Sequence, residues 1–307
     1  MSESESKLPI IYLPPKTQTA LTAGRRIIAI DATMLNTLQM CAFKLNLQFI
    51  ENLRGVTKPH YLDEGSLIHL MLWMYYQLKR EGIPFKDRVE QAVLYGRTMS
   101  PSLDLSMDAC EQMYYQFKEY AKFREHENWT PLDFERPFSV VMYEDDKLTI
   151  IYEGIVDLIV HVPGVGELCV DHKTMTRNSQ LDRMSNQFMG YSWALGIKTV
   201  CINRIGFQKT LPPKERFTRP MVSYNSTRLE EWRQNTIWWA KYADLLIQNK
   251  MFPMNQTSCD KFGGCFYREL CLSTANARNF LAARDFKKGE VWAPAGGLGL
   301  VGEATDE

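Results

Sequence analysis

The 307-residue chain carries 36 basic and 36 acidic side chains, so no bulk charge draws it to a polyanion or a membrane surface. A hydrophobic share of 45% is ordinary for a globular protein with a sizeable core and excludes a disordered or fibrous chain. The longest apolar run, Leu67 to Tyr76, is broken by His69 and too short for a bilayer, and the opening MSESESKLP lacks the pattern of a secretory leader. A cytoplasmic protein without a membrane partner is expected. Its seven cysteines are then expected as reduced thiols or metal ligands, not disulfides.

Residues 1–30 read as a flexible polar lead. From Asp31 the pattern turns helical: Met34, Leu35, Leu38, Cys41, Ala42, Leu45 and Phe49 recur at helical spacing, with Asp31 or Thr33 as N-cap and an end near Gly55. A second helix starts near Asp63 and runs through LIHLMLWMYYQLKREG to Gly82 and Pro84, with His69 on its first turns. A lone histidine on an apolar helix is ordinarily a core residue. Further helices are predicted over 85–98 and 106–123, as an insertion or arm within a helical region spanning 31–130. Strands begin near Pro137, and a core is expected over 131–250. It includes a helix over 178–195, strands over 200–207 and 217–222, and a long helix over 228–248.

Within that core two runs rich in Val and Ile flank Val162-Pro163-Gly164-Val165, a turn in which Pro presets the first angle and Gly takes the positive one. Folding this hairpin brings Asp157 and Asp171 opposite each other within about one residue of register, roughly 5 Å apart, close enough to share a divalent cation. Asp171 and Lys173 are two apart and share a face. Two carboxylates and an ammonium on apolar strands are costly to bury uncompensated. A bound metal ion would compensate them; so would an internal ion pair that only orders the sheet. Beyond the hairpin, the segment from Asp171 to Pro220 is rich in Lys and Arg, including Arg177 and Arg183, which suits a polyanion track.

The order Gly154-Ile155-Val156-Asp157, hairpin, Asp171-His172-Lys173-Thr174, then Gln187-Phe188-Met189-Gly190-Tyr191 resembles the PD-(D/E)XK nuclease superfamily. More narrowly, it is similar to the RecB-like exonuclease branch, which includes the AddB nuclease domain and the CRISPR-associated RecB-like exonucleases. The resemblance runs from about Cys41 to Cys271 and implies an α/β fold with a restriction-endonuclease-like mixed-sheet core. It also implies a function: metal-dependent hydrolysis of DNA, most simply from a free end. Asp157, Asp171 and Lys173 would be catalytic. His69, Asp157, Asp171 and the carbonyl of His172 would hold Mg²⁺ or Mn²⁺. Gly65-Ser66-Leu67-Ile68-His69 matches the family's histidine motif, which is what turns His69 from core residue to ligand. Gln187, Tyr191, Arg177 and Arg183 would meet nucleic acid. Glu135 falls where the family often has a glutamate, although it reads equally as a surface residue.

Cys259, Cys265 and Cys271 recur with five residues between neighbours, without the Cys-x-x-Cys pair usual in zinc modules. One cysteine before the core and three after it resembles the 4Fe–4S staple of AddB and related exonucleases. Cys41-Ala42-Phe43-Lys44 would supply the fourth thiolate. The relatives commonly have two residues between the first cysteines of the trio, so zinc remains the other occupant. The segment 251–290 would then pack back on the first helix, leaving a disordered tail over 291–307. Cys110, Cys169 and Cys201 are expected in the core. No Walker-type glycine loop is present, so no ATP-driven motor is expected. The chain looks more like stand-alone phage-encoded members than helicase fusions, with DNA, and a helicase or recombination protein, as partners. The competing readings are a non-catalytic nucleic-acid or helicase-binding module that keeps the nuclease fold, and a zinc-stapled structural protein.

Overall fold

The computed structural model describes residues 26–56, 60–175, 183–261 and 264–289. In chain order the strands are β1 (Arg26–Ile30), β2 (Leu53–Gly55), β3 (Thr130–Glu144), β4 (Leu148–Val162), β5 (Gly166–Met175), β6 (Thr199–Gly206), β7 (Met221–Ser223) and β8 (Phe286–Lys288). The helices are α1 (Ala32–Met40), α2 (Ala42–Leu45), α3 (His60–Arg80), α4 (Phe85–Met99), α5 (Met107–Phe123), α6 (Asn186–Leu195), α7 (Pro213–Arg216), α8 (Ser226–Asn249), α9 (Arg268–Leu272) and α10 (Ala275–Asp285). The parts expected as a flexible lead and a disordered tail fall outside the described residues, save for 26–30, which form β1.

The chain gathers into two compact units, and β3 and β4 contribute to both. The first takes its described residues from Met1–Val56, Ser139–Gly154 and Glu230–Gly296, the second from Thr57–Phe138 and Ile155–Leu229. These divisions do not follow the boundaries expected near 130 and 250. Compactness here is set by strand pairing between distant segments, which composition does not mark.

In the first unit β1 pairs in parallel with the start of β4, from Arg26 opposite Leu148 to Ile30 opposite Tyr152. Asp31 caps α1, its Oδ1 accepting from Met34 N at 2.6 Å. The single helix expected from Asp31 to Gly55 is broken: Cys41 is extended, at φ −165° and ψ 116°, and α2 and a π-helical turn over Asn46–Ile50 follow it. Tyr152 and Trp232 of α8 meet edge to face at 5.1 Å.

Asp31 and Glu153 are among the carboxylates buried in this unit. Burial pushes Asp31 up to about 7, against the N–H groups of Met34 and Thr33, with Glu153 adding to the rise. Burial likewise raises Glu153 to about 7, its Oε1 accepting from Ser139 Oγ at 3.0 Å. A carboxyl whose folded pKa lies above its unfolded value of about 4 contributes most below that value, and its contribution fades as pH climbs through about 7. Glu153→Gln keeps the acceptor for Ser139 and is expected to stabilise the protein at pH 8 by on the order of 2 kcal/mol, with no gain near pH 4. Thermal unfolding at both pH values checks this, and equal gains at both would contradict it.

In the second unit β4 and β5 form the expected hairpin, antiparallel from Leu158 opposite Val170 to Val162 opposite Gly166. Gly164 and Gly166 take positive φ in its turn. β5 pairs in parallel with β6, from Cys169 opposite Val200 to Met175 opposite Gly206, and β6 pairs antiparallel with β7. β3 starts at Thr130, earlier than expected, and β7 is only three residues long. Residues 217–220 still run beside β6: Ile202 N donates to Pro220 O and Arg204 N to Thr218 O.

Leu67, Ile68, Met71, Leu72, Tyr75 and Tyr76 form one fully buried face of α3. They share a core with Met113, Phe117 and Tyr120 of α5 and with Leu158, Val160, Leu168 and Val170 of the hairpin. The helical region expected as an arm is therefore core. Its apolar stripe has no outward-facing alternative, because the strands supply the surface it covers. Cys110, Cys169 and Cys201 are buried as expected. No helix among the described residues is long and apolar enough to cross a membrane.

Candidate metal centre and catalytic site

Register decides the site. Asp157 lies one residue before Leu158 and Asp171 one after Val170, so the two aspartates adjoin the last paired positions of the hairpin. Along β5, side chains alternate between faces: Asp171 and Lys173 share one, His172 takes the other. Lys173 Nζ lies 3.0 Å and 2.9 Å from the two oxygens of Asp171 and donates to Gln187 Oε1 at 3.2 Å. Gln187 Nε2 in turn donates to Tyr191 Oη at 2.7 Å.

Three further groups converge beside this pair. Ligand atoms of His69, Glu135 and Asp157 all lie within 4.8 Å of one another, and all three residues are half-buried. His69 comes from α3, whose second turn approaches β5 so closely that a Cβ on Gly65 would sit 3.2 Å from Thr174 Oγ1. Its Nε2 lies 2.9 Å from the carbonyl of His172. A carbonyl only accepts, so Nε2 carries the proton. The lone pair is then on Nδ1, 3.7 Å from Asp157 Oδ2. A ring whose other N–H is held by a backbone carbonyl is the usual arrangement of a metal-binding histidine.

Glu135 lies within β3 at φ 41°, a left-handed conformation that a side-chain-bearing residue adopts at a cost of order 1 kcal/mol. Burial, then Asp157, pushes its carboxyl up to about 8. Burial also raises Asp171, to about 6, against Lys173 and with Asp157 adding to the rise. Burial pulls the Lys173 ammonium down, but Asp171 and Asp157 outweigh it and leave the pKa raised. Lys173 is 43% exposed and Asp171 only 1%, so the ammonium reaches out from a buried carboxylate. Crowded carboxylates with an imidazole lone pair are the donor set of a hard divalent cation, Mg²⁺ or Mn²⁺. The residues fit the ion.

Of the residues singled out in the sequence, the fold brings together His69, Asp157, Asp171, Lys173, Gln187 and the His172 backbone. The His172 amide donates to Asp157 Oδ2 at 2.7 Å, and its carbonyl faces His69. Tyr191 is 4% exposed, packed edge-on to Phe138 at 6.1 Å, and so backs Gln187 from inside instead of facing solvent. Arg183 is exposed in the turn before α6; Arg177 lies outside the described residues. α6 starts at Asn186, capped by Ser185, and the part of the expected helix over 178–182 lies outside the described residues. Glu135 was legible only as a family position. Its place beside Asp157 depends on β3, which the sequence pattern starts too late.

In the first unit Cys41, Cys259, Cys265 and Cys271 line one cavity of about 260 Å³. Asn255 and Ser258 tie the segment to α1, donating from Nδ2 and Oγ to Met40 O at 2.8 Å each, and Asn255 N donates to Cys41 Sγ at 3.4 Å. Burial raises the Cys271 thiol to about 11, with Cys265, Cys41 and Cys259 adding to the rise. A buried thiol whose ionisation its cysteine neighbours oppose is an environment that a cationic metal centre would relieve.

A mixed sheet thus carries paired acidic strands, an Asp-x-Lys pair and a helix-borne histidine whose ligand atoms could hold a metal ion. The sequence profile of the PD-(D/E)XK nuclease superfamily matches residues 30–272, and the chain belongs to that superfamily. It is thus a nuclease by family, dependent on a divalent metal and with DNA as substrate. Thirteen chains of solved structures match. One, titled "Crystal structure of SSO0001", shares 11% identity at a TM-score of 0.36, over 84% of this chain and 92% of that one. Among curated proteins none matches significantly.

The crowding at Glu135 has a measurable consequence. Glu135→Gln removes one of the mutually repelling carboxylates, so the metal-free protein is expected to melt higher while Mn²⁺ binding weakens by about tenfold or more. Calorimetric titration with Mn²⁺ and thermal unfolding in chelator check the two halves. Unchanged Mn²⁺ affinity would remove Glu135 from the site.

Proposed function

We propose that the protein is a DNA exonuclease of the RecB-like branch, using Mg²⁺ or Mn²⁺ and stapled by a 4Fe–4S cluster. The observation that carries the catalytic part is the meeting of His69, Glu135 and Asp157 next to the Asp171–Lys173–Gln187 chain. When bound, the ion supplies Lewis-acid polarisation of the phosphate and the attacking water. His69, Asp157 and Asp171 would hold it, with Glu135 as a further carboxylate. Lys173, kept as an ammonium between Asp171 and Gln187, would neutralise charge building on the phosphate oxygens and orient the attacking water. Gln187 and the exposed Arg183, together with Arg177, would seat the strand through its phosphates.

The exonuclease assignment leans on the cysteines. Cys41, Cys259, Cys265 and Cys271 line one cavity, which offers the four thiolates a cubane takes. The cluster would tie residues 251–272 to Cys41. A helicase or recombination protein would be its working partner in DNA repair, recombination or phage DNA processing.

Labelled linear single- and double-stranded DNA, with ends free or blocked, and closed circular DNA should be incubated with Mg²⁺ or Mn²⁺. Metal-dependent loss of free-ended DNA with circles spared is expected. Circles cut as fast as linear DNA would make the protein an endonuclease, and no cleavage of any substrate would favour the non-catalytic binding module. Iron and sulfide in the purified protein are expected; zinc alone would overturn the cluster.

A further inference from the structure

His172 stands between the two charged residues of the Asp-x-Lys pair, yet its ring leaves the site for the opposite face. The ring is 4% exposed and lies parallel to Tyr76, 5.9 Å away at an interplanar angle of 6°. Directly across the parallel pairing sits Asn203, fully buried on β6. Its Nδ2 is 2.8 Å from His172 Nδ1, and its Oδ1 accepts from Tyr120 Oη at 2.9 Å and Arg219 Nε at 3.1 Å.

Proton inventory fixes this chain of contacts. A guanidinium only donates, so the oxygen of the Asn203 amide must face Arg219 and its NH₂ must face His172. His172 Nδ1 must then accept, which leaves the ring neutral with its proton on Nε2. Arg219 is itself anchored: Nη2 donates to Tyr120 Oη at 2.7 Å, Tyr76 Oη at 3.0 Å and Glu127 Oε2 at 2.6 Å. The ring also meets the His69 ring edge to face at 5.7 Å, and the peptide groups of the anchored residue hydrogen-bond the site: N–H to Asp157 Oδ2 and C=O to His69 Nε2.

We propose that Asn203 is a positioning residue of the metal site, holding the His172 ring in one tautomer so that the 172 backbone aims Asp157 and His69 at a common point. The proposal rests on the metal-site reading given above. No metal, water or substrate is needed for the tautomer itself, which makes the two separable.

Asn203→Asp is the sharp variant, because it keeps the acceptor for Arg219 and Tyr120 and replaces the donor to His172 with a carboxylate oxygen that only accepts. Tyr120→Phe is the control: it weakens the same buried network but leaves Arg219 to orient the amide. In metal-free wild type, nitrogen-15 NMR is expected to show His172 protonated on Nε2 alone; in N203D the proton appears on Nδ1. Mn²⁺ titrated without DNA is expected to bind N203D about 10- to 100-fold more weakly. Its kcat should fall by a similar factor with KM for DNA little changed. Y120F should stay within about threefold of wild type on both measures while losing stability on the order of 1 kcal/mol. Should N203D not fold, Asn203→Ala carries the same expectation for Mn²⁺ binding. The proposal is overturned if wild-type His172 is protonated on Nδ1, if N203D binds Mn²⁺ as tightly as wild type, or if Y120F loses as much affinity as N203D. Failure of the metal site itself would look different: Mn²⁺ affinity would survive Asp157→Asn, with the His172 tautomer as expected.

Discussion

Asp157→Asn is expected to lower metal-dependent DNA cleavage by roughly a thousandfold while moving the melting point by no more than a few degrees. The asparagine keeps an oxygen for the His172 amide, now 2.7 Å from the Asp157 carboxylate, so the hairpin keeps its local bond. What it loses is charge at the point where His69 and Glu135 converge. It also relieves the repulsion that raises both Glu135 and Asp171, so the metal-free variant should be no less stable than wild type. Lys173→Ala should give a similar loss by a different route. It frees Asp171 from its ammonium and removes the cation nearest Gln187, leaving Mn²⁺ binding largely in place. Cleavage rates at saturating metal, read beside calorimetric Mn²⁺ affinities, separate the two. Full activity in either purified variant would dismiss the residue from the chemistry.

Glu127→Ala is expected to cost about 3–5 kcal/mol of folding stability. Its carboxylate is 5% exposed and serves two cations, Lys79 at 2.9 Å and Arg219 at 2.6 Å, themselves only 12% and 10% exposed. Burial pulls the Lys79 ammonium down, and Glu127 is the first partner that opposes this. Without it Arg219 keeps the Trp129 face, 3.4 Å from its guanidinium carbon, and two tyrosine hydroxyls, but no buried anion. Glu127→Gln retains an acceptor and should lose less. Urea unfolding measures both, and a loss under about 1 kcal/mol for the alanine variant would show that water reaches these cations freely.

Parts of the site could be read locally. A Pro-Gly turn between alternating Val and Ile runs fixes the hairpin, and a period of two then dictates that Asp171 and Lys173 share a face. The same arithmetic places Asp157 across from Asp171. Helical spacing put Gln187 and Tyr191 together, and their side chains do meet. It could not say which member lies inside. Tyr191 is buried because β3 brings Phe138 over it, and the start of β3 was placed seven residues too late by pattern alone. The break at Cys41 was equally hidden, since Met34, Leu38 and Leu45 continue one apolar period straight through an extended residue.

The amino-acid order by itself determined the paired aspartates, the adjoining lysine and the histidine motif, because turn chemistry and residue periodicity act over a few positions. Only the tertiary structure decided that Glu135 joins them in a strained backbone, that the three late cysteines reach Cys41, and that Asn203 grips His172 from behind. Those contacts join segments from 22 to more than 200 residues apart. Chain packing brings them together, and no local propensity encodes it.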